Sequence, residues 1–536
     1  MDSTNLLNKK DQPLNVLRLL LICFLVIIFI VGSFIFFTTI FTIISHNQSI
    51  IIDPKYGVSI LNRSSFPPDF VFGSASSAYQ NEGAALQDGK GPSIWDTFTH
   101  KFPEMIPDGS NGDVATDSYN RYKEDVKIMK EMGLDAYRFS ISWSRLLPYG
   151  KVSKGVNKEG IKYYHNLIDE LLANGIQPSI TIFHWDLPQA LQDEYGGFST
   201  PYIINDFRDY AELCFKEYGN KVKYWTTLNE PHSYSTEYHS TAVYSSKQCL
   251  KSNPENCTID FGTVPYLVAH YQLLAHAAAV RIYRQKYQAS QKGVIGIVLN
   301  AVWQVPFSEA MSDQNAAERA LDFLFGWYMD PITYGDYPRT MRSLVRNRLP
   351  KFSKEESEML KGSFDFLGLN YYTSNFAADA PDFKNRTPNY NTDSLVYKTT
   401  ERNGIPIGPT TAADWLYVYP RGIYDLLLYI KRRYKDPIIY ITENGTDESN
   451  DATLSLEEAS ADSMRIQYYH DHLAFVQRAI VRDGVKVKGY FAWSLMDNFE
   501  WLYGYTVRFG IIYIDFKDGL KRYPKHSAKW FKNFLE

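Results

Sequence analysis

Eight short apolar runs, separated by longer amphipathic segments, dominate the chain from residue 66 onwards. The runs are rich in residues of high β propensity and span residues 70–75, 136–141, 179–184, 224–229, 294–300, 364–370, 438–443 and 487–493. Helical periodicity is clearest between them at residues 117–132, 158–173, 263–287 and 454–483. Eight strand–helix units predict an α/β fold, a closed (β/α)8 or TIM barrel of parallel strands.

The predicted barrel has long connections. Residues 66–536 exceed the about 250 residues that are typical of such a barrel. We expect the excess in loops at the C-terminal face, mainly at residues 185–197, 233–265 and 377–414.

The N-terminal segment has a different pattern. Residues 19–44 carry no charge, and as a helix these 26 residues would extend about 39 Å, enough to cross a bilayer. Lys9, Lys10 and Arg18 precede them, so the positive-inside rule places the N-terminus in the cytosol. The expected organisation is a cytosolic tail (1–18), a transmembrane signal-anchor (19–44), a linker (45–65) and the barrel (66–536).

This topology predicts a single-pass membrane protein whose barrel is lumenal, in the endoplasmic reticulum or another endomembrane compartment, or extracellular. A buried core helix is one alternative for the apolar run. A cleaved signal peptide is another, and would leave the protein secreted or vacuolar, although such peptides usually have a shorter apolar core.

Sequons and cysteines fit a lumenal or extracellular barrel. Asn47, Asn62, Asn256 and Asn385 are candidate glycosylation sites, whereas the sequon at Asn444 lies in the seventh apolar run, where we expect it to be buried. In an oxidising compartment we expect Cys249 and Cys257, which share one polar loop, to form a disulfide.

Composition and motifs limit the classes of partner and cofactor that we expect for this chain. The net charge is −4 and no long basic run occurs, so we expect no nucleic acid partner. No metal-ligand spacing and no phosphate-binding glycine loop is present, which predicts neither a metal nor a cofactor. Aromatic residues make up 15% of the chain, which suits an aromatic-lined cleft, although a thick core would also use them. A homo-oligomer remains open.

Most of the apolar runs end in side chains that can hydrogen-bond or ionise. These are Arg138, His184, Asn229, Glu230, Asn370, Tyr372, Glu443 and Trp493, with Glu500 and Trp501 in the loop after the last run. In a barrel the C-terminal strand ends meet on one face, where active sites lie. Any one of these residues could be a helix cap or a buried polar group, but together they predict a site.

Glu230 and Glu443 end the fourth and seventh runs and would face each other across the barrel mouth. Paired carboxyl groups in this position indicate glycoside hydrolysis, with one as acid and the other as nucleophile or base. Because two close carboxyl groups do not easily both ionise, we expect one of them to have a raised pKa. A metal site would need further Asp or His ligands, which the pattern lacks.

The sequence Thr-Leu-Asn-Glu-Pro at 227–231 and Ile-Thr-Glu-Asn-Gly at 441–445 resemble the two signature motifs of glycoside hydrolase family one, the plant β-glucosidase family. The resemblance runs from about residue 66 to residue 534. It includes the segments 72–80, 137–145 and 497–501.

The resemblance implies a retaining double displacement in which Glu443 attacks the anomeric carbon and Glu230 acts first as acid and then as base. It places Arg138 and Tyr372 beside Glu443, to keep it ionised and oriented. The expected separation of the two carboxyl groups is about 5 Å. The expected glucose-binding residues are Gln80, His184, Asn229, Asn370, Trp493, Glu500 and Trp501.

The entrance to the expected cleft departs from the family pattern. Many plant members carry glycine and proline in the loop after the acid motif, whereas residues 237–249 have neither, and Asn81 stands where an aliphatic residue is more usual. We interpret this as adaptation to an unusual aglycone, such as a terpenoid, alkaloid or phenolic metabolite. His232, Trp303 and Trp415 are candidates for that side of the cleft. Drift in a surface loop is the alternative.

Three functions remain in competition. The favoured one is a membrane-anchored β-glucosidase acting on a small-molecule β-glucoside. A transglycosidase would pass the glucosyl group to a sugar or lipid hydroxyl, and a silent lectin-like or scaffold protein would keep the barrel without turnover. Thioglucosidases lack the acid glutamate and phospho-glycosidases replace the Glu500-Trp501 pair; both features are intact here.

Overall fold

The computed structural model describes residues 61–239 and 259–536, and the fold is given for these residues. Eight parallel strands form the central sheet: β1 (Val71–Ala75), β2 (Ala136–Ser140), β3 (Gln177–Phe183), β4 (Tyr224–Asn229), β5 (Val294–Pro306), β6 (Phe366–Asp379), β7 (Ile439–Asn444) and β8 (Val487–Trp493). Each strand pairs with its neighbour in sequence, and β8 pairs with β1, which closes the barrel. The predicted (β/α)8 barrel is confirmed.

Helices connect consecutive strands along the outside of the barrel. The principal ones are α1 (Ser118–Glu131), α2 (Lys158–Ala173), α3 (Tyr202–Tyr218), α4 (Val264–Lys286), α5 (Met311–Leu321), α6 (Arg421–Arg433), α7 (Ser463–Val481) and α8 (His526–Leu535). Shorter helices include Ala78–Asn81, Ile94–Lys101, Trp143–Leu146, Gln189–Tyr195, Trp327–Tyr334, Arg339–Val345 and Lys354–Leu360.

Helix α2 illustrates why these segments are helical and which face they bury. The side chain of Asn157 caps its N-terminus by accepting a hydrogen bond from the backbone N–H of Glu159. Tyr164, Ile168 and Leu171, spaced four and three residues apart, are fully buried against the barrel. The strands are buried on both faces, as β2 is along its whole length, so they read as continuous apolar runs.

Strands β5 and β6 are longer than the apolar runs that predicted them. Their pairing continues past the rim to Pro306 and Ala377, and Val396–Thr399 adds an antiparallel strand to β6. Part of the predicted loop at 377–414 is therefore sheet. Asn300 and Asn370 interrupt the apolar pattern at the rim, so the pattern alone did not reveal that both strands continue through the buried and half-buried residues beyond.

The prediction of one helix over residues 454–483 is wrong. The segment forms a short helix, Leu456–Ser460, and then α7. Asp462 lies buried at the break, where its carboxylate accepts hydrogen bonds from the backbone N–H of Ser527 at 2.8 Å and from Nε of Arg465 at 2.9 Å. These bonds tie the break to α8, which outweighs the local helical periodicity.

Several sequence predictions fall outside the described residues. These are the tail, the anchor and most of the linker, Asn47, Asn256 and the pair Cys249 and Cys257. Among the described sequons, Asn385 is exposed, Asn62 is half-buried with its side chain capping a short helical turn, and Asn444 is fully buried.

Within residues 61–239 and 259–536, none of the helices combines the length and apolar character needed to cross a bilayer.

Candidate active site

A cavity of about 550 Å³ opens at the C-terminal ends of the barrel strands. Glu230, which directly follows β4, and Glu443 of β7 lie on its floor and are 8% and 4% exposed. Strand ends deliver both carboxyl groups to the same concave site, as the barrel topology requires.

Glu443 is held by two donors. Arg138, fully buried on β2, places Nη1 2.6 Å from Oε1, and the hydroxyl of Tyr372 on β6 donates to Oε2 at 2.7 Å. A buried guanidinium and a phenolic hydroxyl thus hold one oxygen each, which fixes the orientation of the Glu443 carboxyl group.

Glu230 lies in a different environment. Its Oε1 accepts a hydrogen bond from Nδ2 of Asn370 at 2.7 Å and its Oε2 accepts one from Oγ of Ser233 at 2.8 Å. Burial and the nearby charge of Glu443 raise the pKa of Glu230 to about 8, and the two hydrogen bonds oppose this rise only in part. Glu230 is therefore protonated at neutral pH and can donate a proton.

Amide side chains connect the two glutamates. Oδ1 of Asn229 accepts from Nη2 of Arg138 at 2.6 Å and from Nδ2 of Asn370 at 3.2 Å. The hydroxyl of Thr442 donates to Oδ1 of Asn370 at 2.7 Å, which fixes the orientation of that amide. This continuous network spans β2, β4, β6 and β7, so it fixes the position of each carboxyl group relative to the other.

A third carboxyl group, Glu500, faces the same cavity from the loop after β8. Nε2 of Gln80 lies 3.3 Å from its Oε2, and the same amide donates to Asn498. Burial, followed by the charges of Asp447, Glu443 and Glu230, raises the pKa of Glu500 well above its usual range. The pair Gln80 and Glu500 thus offers both donors and acceptors at one corner of the floor.

Aromatic rings form one wall. The ring of His184 stacks against Trp493 and Trp501, with centroids 5.9 Å apart in each pair. Burial and the charge of Arg138 lower the pKa of His184 well below its usual range, so this imidazole is neutral. Trp185 stacks on Tyr238 at 4.3 Å and extends the wall outwards. Flat faces beside polar groups suit a sugar ring, which carries C–H faces and hydroxyl edges.

Three residues enter this region with left-handed backbone conformations. Glu230, Trp185 and Trp501 have φ values of 41°, 73° and 49°. Such conformations cost free energy in residues other than glycine and tend to concentrate at functional sites.

The structure places most of the predicted residues together. Glu230, Glu443, Tyr372, His184, Asn370, Trp493, Glu500 and Trp501 line the cavity, as does Trp415 near its mouth. Arg138, Asn229 and Gln80 lie one layer behind, hydrogen-bonded to residues of the floor.

Two residues assigned to the aglycone side require correction. Trp303 packs towards Tyr429 of α6, whereas Ala301 and Val302 line the cavity, at the point where the pairing of β5 with β6 shifts register. His232 packs against the buried ring of Trp327, 5.6 Å between centroids, and does not line the cavity. Of the altered loop at 237–249, only residues 237–239 are described, and Glu237 and Tyr238 line the cavity.

Sequence reasoning missed several lining residues. Ser233 lies three positions after Glu230, a spacing that places both on one side of a helical turn and could have revealed it. Trp185 follows the predicted His184 directly. Asn300 ends the fifth apolar run, so the strand-end pattern could have revealed it as well. The remaining residues come from strand extensions and loops: Pro107, Ala301, Val302, Thr373, Asn375, Leu502, Tyr503 and Phe509.

Known proteins are similar to this chain over the whole barrel. The model of glycosyl hydrolase family 1 matches residues 62–536. β-Glucosidase 12 of rice (Oryza sativa subsp. indica) is 60% identical over 476 residues, which cover 89% of this chain and 93% of that protein. Raucaffricine-O-β-D-glucosidase of Rauvolfia serpentina is 55% identical over 508 residues, covering 91% and 94% of the two chains.

A solved structure is also similar to this chain. A rice β-glucosidase mutant, in a covalent complex with glucose, is 48% identical with a TM-score of 0.84 and covers 89% of this chain and all of its own. The chain therefore belongs to glycosyl hydrolase family 1 and is a glycoside hydrolase of the β-glucosidase type.

Proposed function

We propose that the protein is a retaining β-glucosidase that releases a plant specialised-metabolite aglycone through a covalent glucosyl-enzyme intermediate. The observation that carries the proposal is the contrast between the two carboxyl groups. Glu443 is paired with a buried guanidinium, whereas Glu230 has its pKa raised to about 8. One is thus prepared as a nucleophile and the other as a proton donor.

In the first step, a carboxylate oxygen of Glu443 forms a bond to the anomeric carbon while the bond from that carbon to the aglycone oxygen breaks. The proton of Glu230 passes to the departing oxygen. Arg138 and Tyr372 hold Glu443 in place for the attack.

In the second step, Glu230 is ionised and takes a proton from water as that water attacks the anomeric carbon. The bond to Glu443 breaks, its carboxylate is regenerated, and glucose leaves with its original configuration. Burial and the charge of Glu443 both raise the pKa of Glu230, and esterification of Glu443 removes the second of these causes, so the covalent step itself lowers that pKa and favours the change of role.

The aglycone would occupy the outer half of the cavity. Trp185, Tyr238, Trp415 and Tyr503 supply flat apolar surface there, which suits a bulky apolar or aromatic aglycone. The similarity to raucaffricine-O-β-D-glucosidase supports a specialised metabolite in that position.

Trapping with a 2-deoxy-2-fluoro-glucoside of a good leaving group tests the mechanism. We expect the intact protein to gain the mass of one fluoroglucosyl group and the label to map to the peptide that contains Glu443. Glu443→Gln should take up no label and should lose turnover by about 10⁴-fold or more. Labelling elsewhere, or near-normal turnover of Glu443→Gln, would contradict the assignment.

A panel of glucosides with product identification tests the substrate class. Terpenoid, alkaloid and phenolic glucosides should be cleaved with higher kcat/KM than cello-oligosaccharides. A glucosylated acceptor as the main product, with little free glucose, would favour the transglycosidase instead.

We further propose that residues 19–44 anchor the protein in a membrane with the barrel on the lumenal or extracellular side. Their 26 uncharged residues and the preceding Lys9, Lys10 and Arg18 support this topology. Retention in the pellet after alkaline carbonate extraction would agree with it. A mature N-terminus beyond residue 44 would show a cleaved signal.

A further inference from the structure

Ser233 contacts the candidate acid directly and has no part in the mechanism described so far. It ends the one-turn helix Pro231–Ser233 and is 8% exposed. Its hydroxyl donates to Oε2 of Glu230 at 2.8 Å. A hydroxyl has a single proton, so this bond commits the only donor that Ser233 possesses.

Asn300 determines where that proton points. Its Nδ2 donates to Oγ of Ser233 at 3.0 Å from strand β5. Because the amide N–H occupies one lone pair of the hydroxyl, the hydroxyl proton points away from Asn300, which leaves it available for the bond to Oε2 of Glu230.

The other oxygen of Glu230 has an equivalent arrangement. Asn370 donates to Oε1, and the hydroxyl of Thr442 holds the opposite end of that amide. Each oxygen of Glu230 therefore faces one donor whose direction is fixed from behind. A proton carried by Glu230 cannot lie along either of these bonds, so it occupies one of the lone-pair positions that the two donors leave open.

We propose that Ser233, oriented by Asn300, is a positioning residue that directs the proton of Glu230 towards the glycosidic oxygen and stabilises the ionised carboxylate required in the second step. The inference rests on the proposed function and deepens it, since it concerns the two protonation states that a retaining mechanism requires of one residue.

The contribution of the Ser233 hydrogen bond to the pKa of Glu230 can be separated from the contributions of the surrounding charges. Burial and the charges of Glu443 and Glu237 raise the pKa of Glu230, while the bonds from Asn370 and Ser233 lower it. Glu500 and the phenols of Tyr372 and Tyr238 are also electrostatically coupled to Glu230. Replacing Ser233 alters none of these groups.

The test is the basic limb of kcat/KM for a glucoside whose leaving group needs protonation. In Ser233→Ala the ionised carboxylate loses a charge-assisted donor, so we expect the limb to move upwards by about one pH unit. Ser233→Thr keeps a hydroxyl and should restore the position of the limb. Asn300→Ala should move it in the same direction by a smaller amount.

A double variant separates orientation from a direct effect. If Asn300 acts through Ser233, Ser233→Ala/Asn300→Ala should show the same limb as Ser233→Ala alone. Ser235→Ala is the matched control, because its hydroxyl bonds the carbonyl of His232 and the hydroxyl of Tyr328 and does not contact Glu230. Thermal melts of all variants identify any that fail to fold. If Ser233→Ala does not fold, the basic limbs of Ser233→Thr and Asn300→Ala provide the second measurement.

The outcomes distinguish the two levels of the proposal. An unmoved limb in Ser233→Ala, or additive shifts in the double variant, would overturn the positioning role while leaving the assignment of Glu230 intact. If Glu230→Gln still shows the same basic limb, the limb does not belong to Glu230 and the acid assignment itself fails.

Discussion

The floor and the mouth of the cavity depend on different kinds of interaction. Asn370 and Glu443 on the floor and Arg138 and Asn229 directly behind it form one hydrogen-bonded network, and each is at most 4% exposed. At the mouth, Trp415 is 40% exposed and contributes mainly ring surface. The floor thus specifies geometry through donors and acceptors, and the mouth specifies shape through packing.

This contrast determines how tolerant each region is to change. Removing one partner from the floor leaves a buried polar group unsatisfied, which costs the full desolvation penalty of that group. Removing a ring from the mouth exposes surface that is already partly in water, so the loss is confined to the contacts it made. Large effects on every substrate should therefore come from the floor, and small effects on particular substrates from the mouth.

The largest effect is expected at the acid. Glu230→Gln cannot donate a proton, so kcat/KM for glucosides with poor leaving groups should fall by about 10²- to 10⁴-fold, with a smaller loss for activated aryl glucosides.

The pH profile adds a second measurement. Because the pKa of Glu230 is about 8, the protonated form predominates below that pH, and wild-type kcat/KM should fall as pH rises through it. Glu230→Gln should lose this basic limb. Equal losses for good and poor leaving groups would contradict the acid role.

An intermediate effect is expected beside the nucleophile. Tyr372→Phe removes one charge-assisted hydrogen bond to Glu443, so kcat should fall roughly 10- to 100-fold for all glucosides. Tyr371→Phe is the matched control, because that hydroxyl bonds Ser374 and the backbone of Tyr419 instead. Similar kinetics in the two variants would contradict the distinction between a hydroxyl that contacts Glu443 on the cavity floor and one that only supports the barrel.

The smallest effect is expected at the mouth. Trp415→Ala should raise KM for bulky aglycones by roughly fivefold, since an aromatic contact contributes about 1 kcal/mol, and should leave methyl glucoside unaffected. Trp303→Ala should show no dependence on the aglycone, because that ring packs towards α6. If the KM of Trp303→Ala also depended on the aglycone, the cavity would extend beyond the lining described.

The sequence predicted the floor well because barrel geometry converts strand ends into neighbours. Arg138, Asn229 and Glu443 are far apart in the chain, yet each ends or lies near the end of a strand, so topology alone brings them together. The raised pKa of one glutamate followed from the same reasoning.

The residues at the mouth of the cavity were harder to predict because no periodic sequence pattern identifies them. Trp303 was assigned to the aglycone side in place of Ala301 and Val302, because the pairing of β5 with β6 shifts register between Ala301 and Trp303 and no pattern in the sequence indicates that shift. Ser233 carried no signal as a residue type. Its importance depends on the turn after β4, where the backbone of Glu230 enters the left-handed region.

That backbone conformation has a consequence for protein engineering. Glu230, Trp185 and Trp501 each hold a left-handed conformation that glycine or asparagine would adopt more readily. At Trp185 and Trp501, which are 5% and 3% exposed, the loss of a buried ring would outweigh this relief of strain. A selection for heat resistance alone should therefore accumulate substitutions at Glu230, and the resulting proteins should be more robust but less active. Thermostable variants of this barrel are better sought in its outer helices, where stability and turnover do not compete for the same residues.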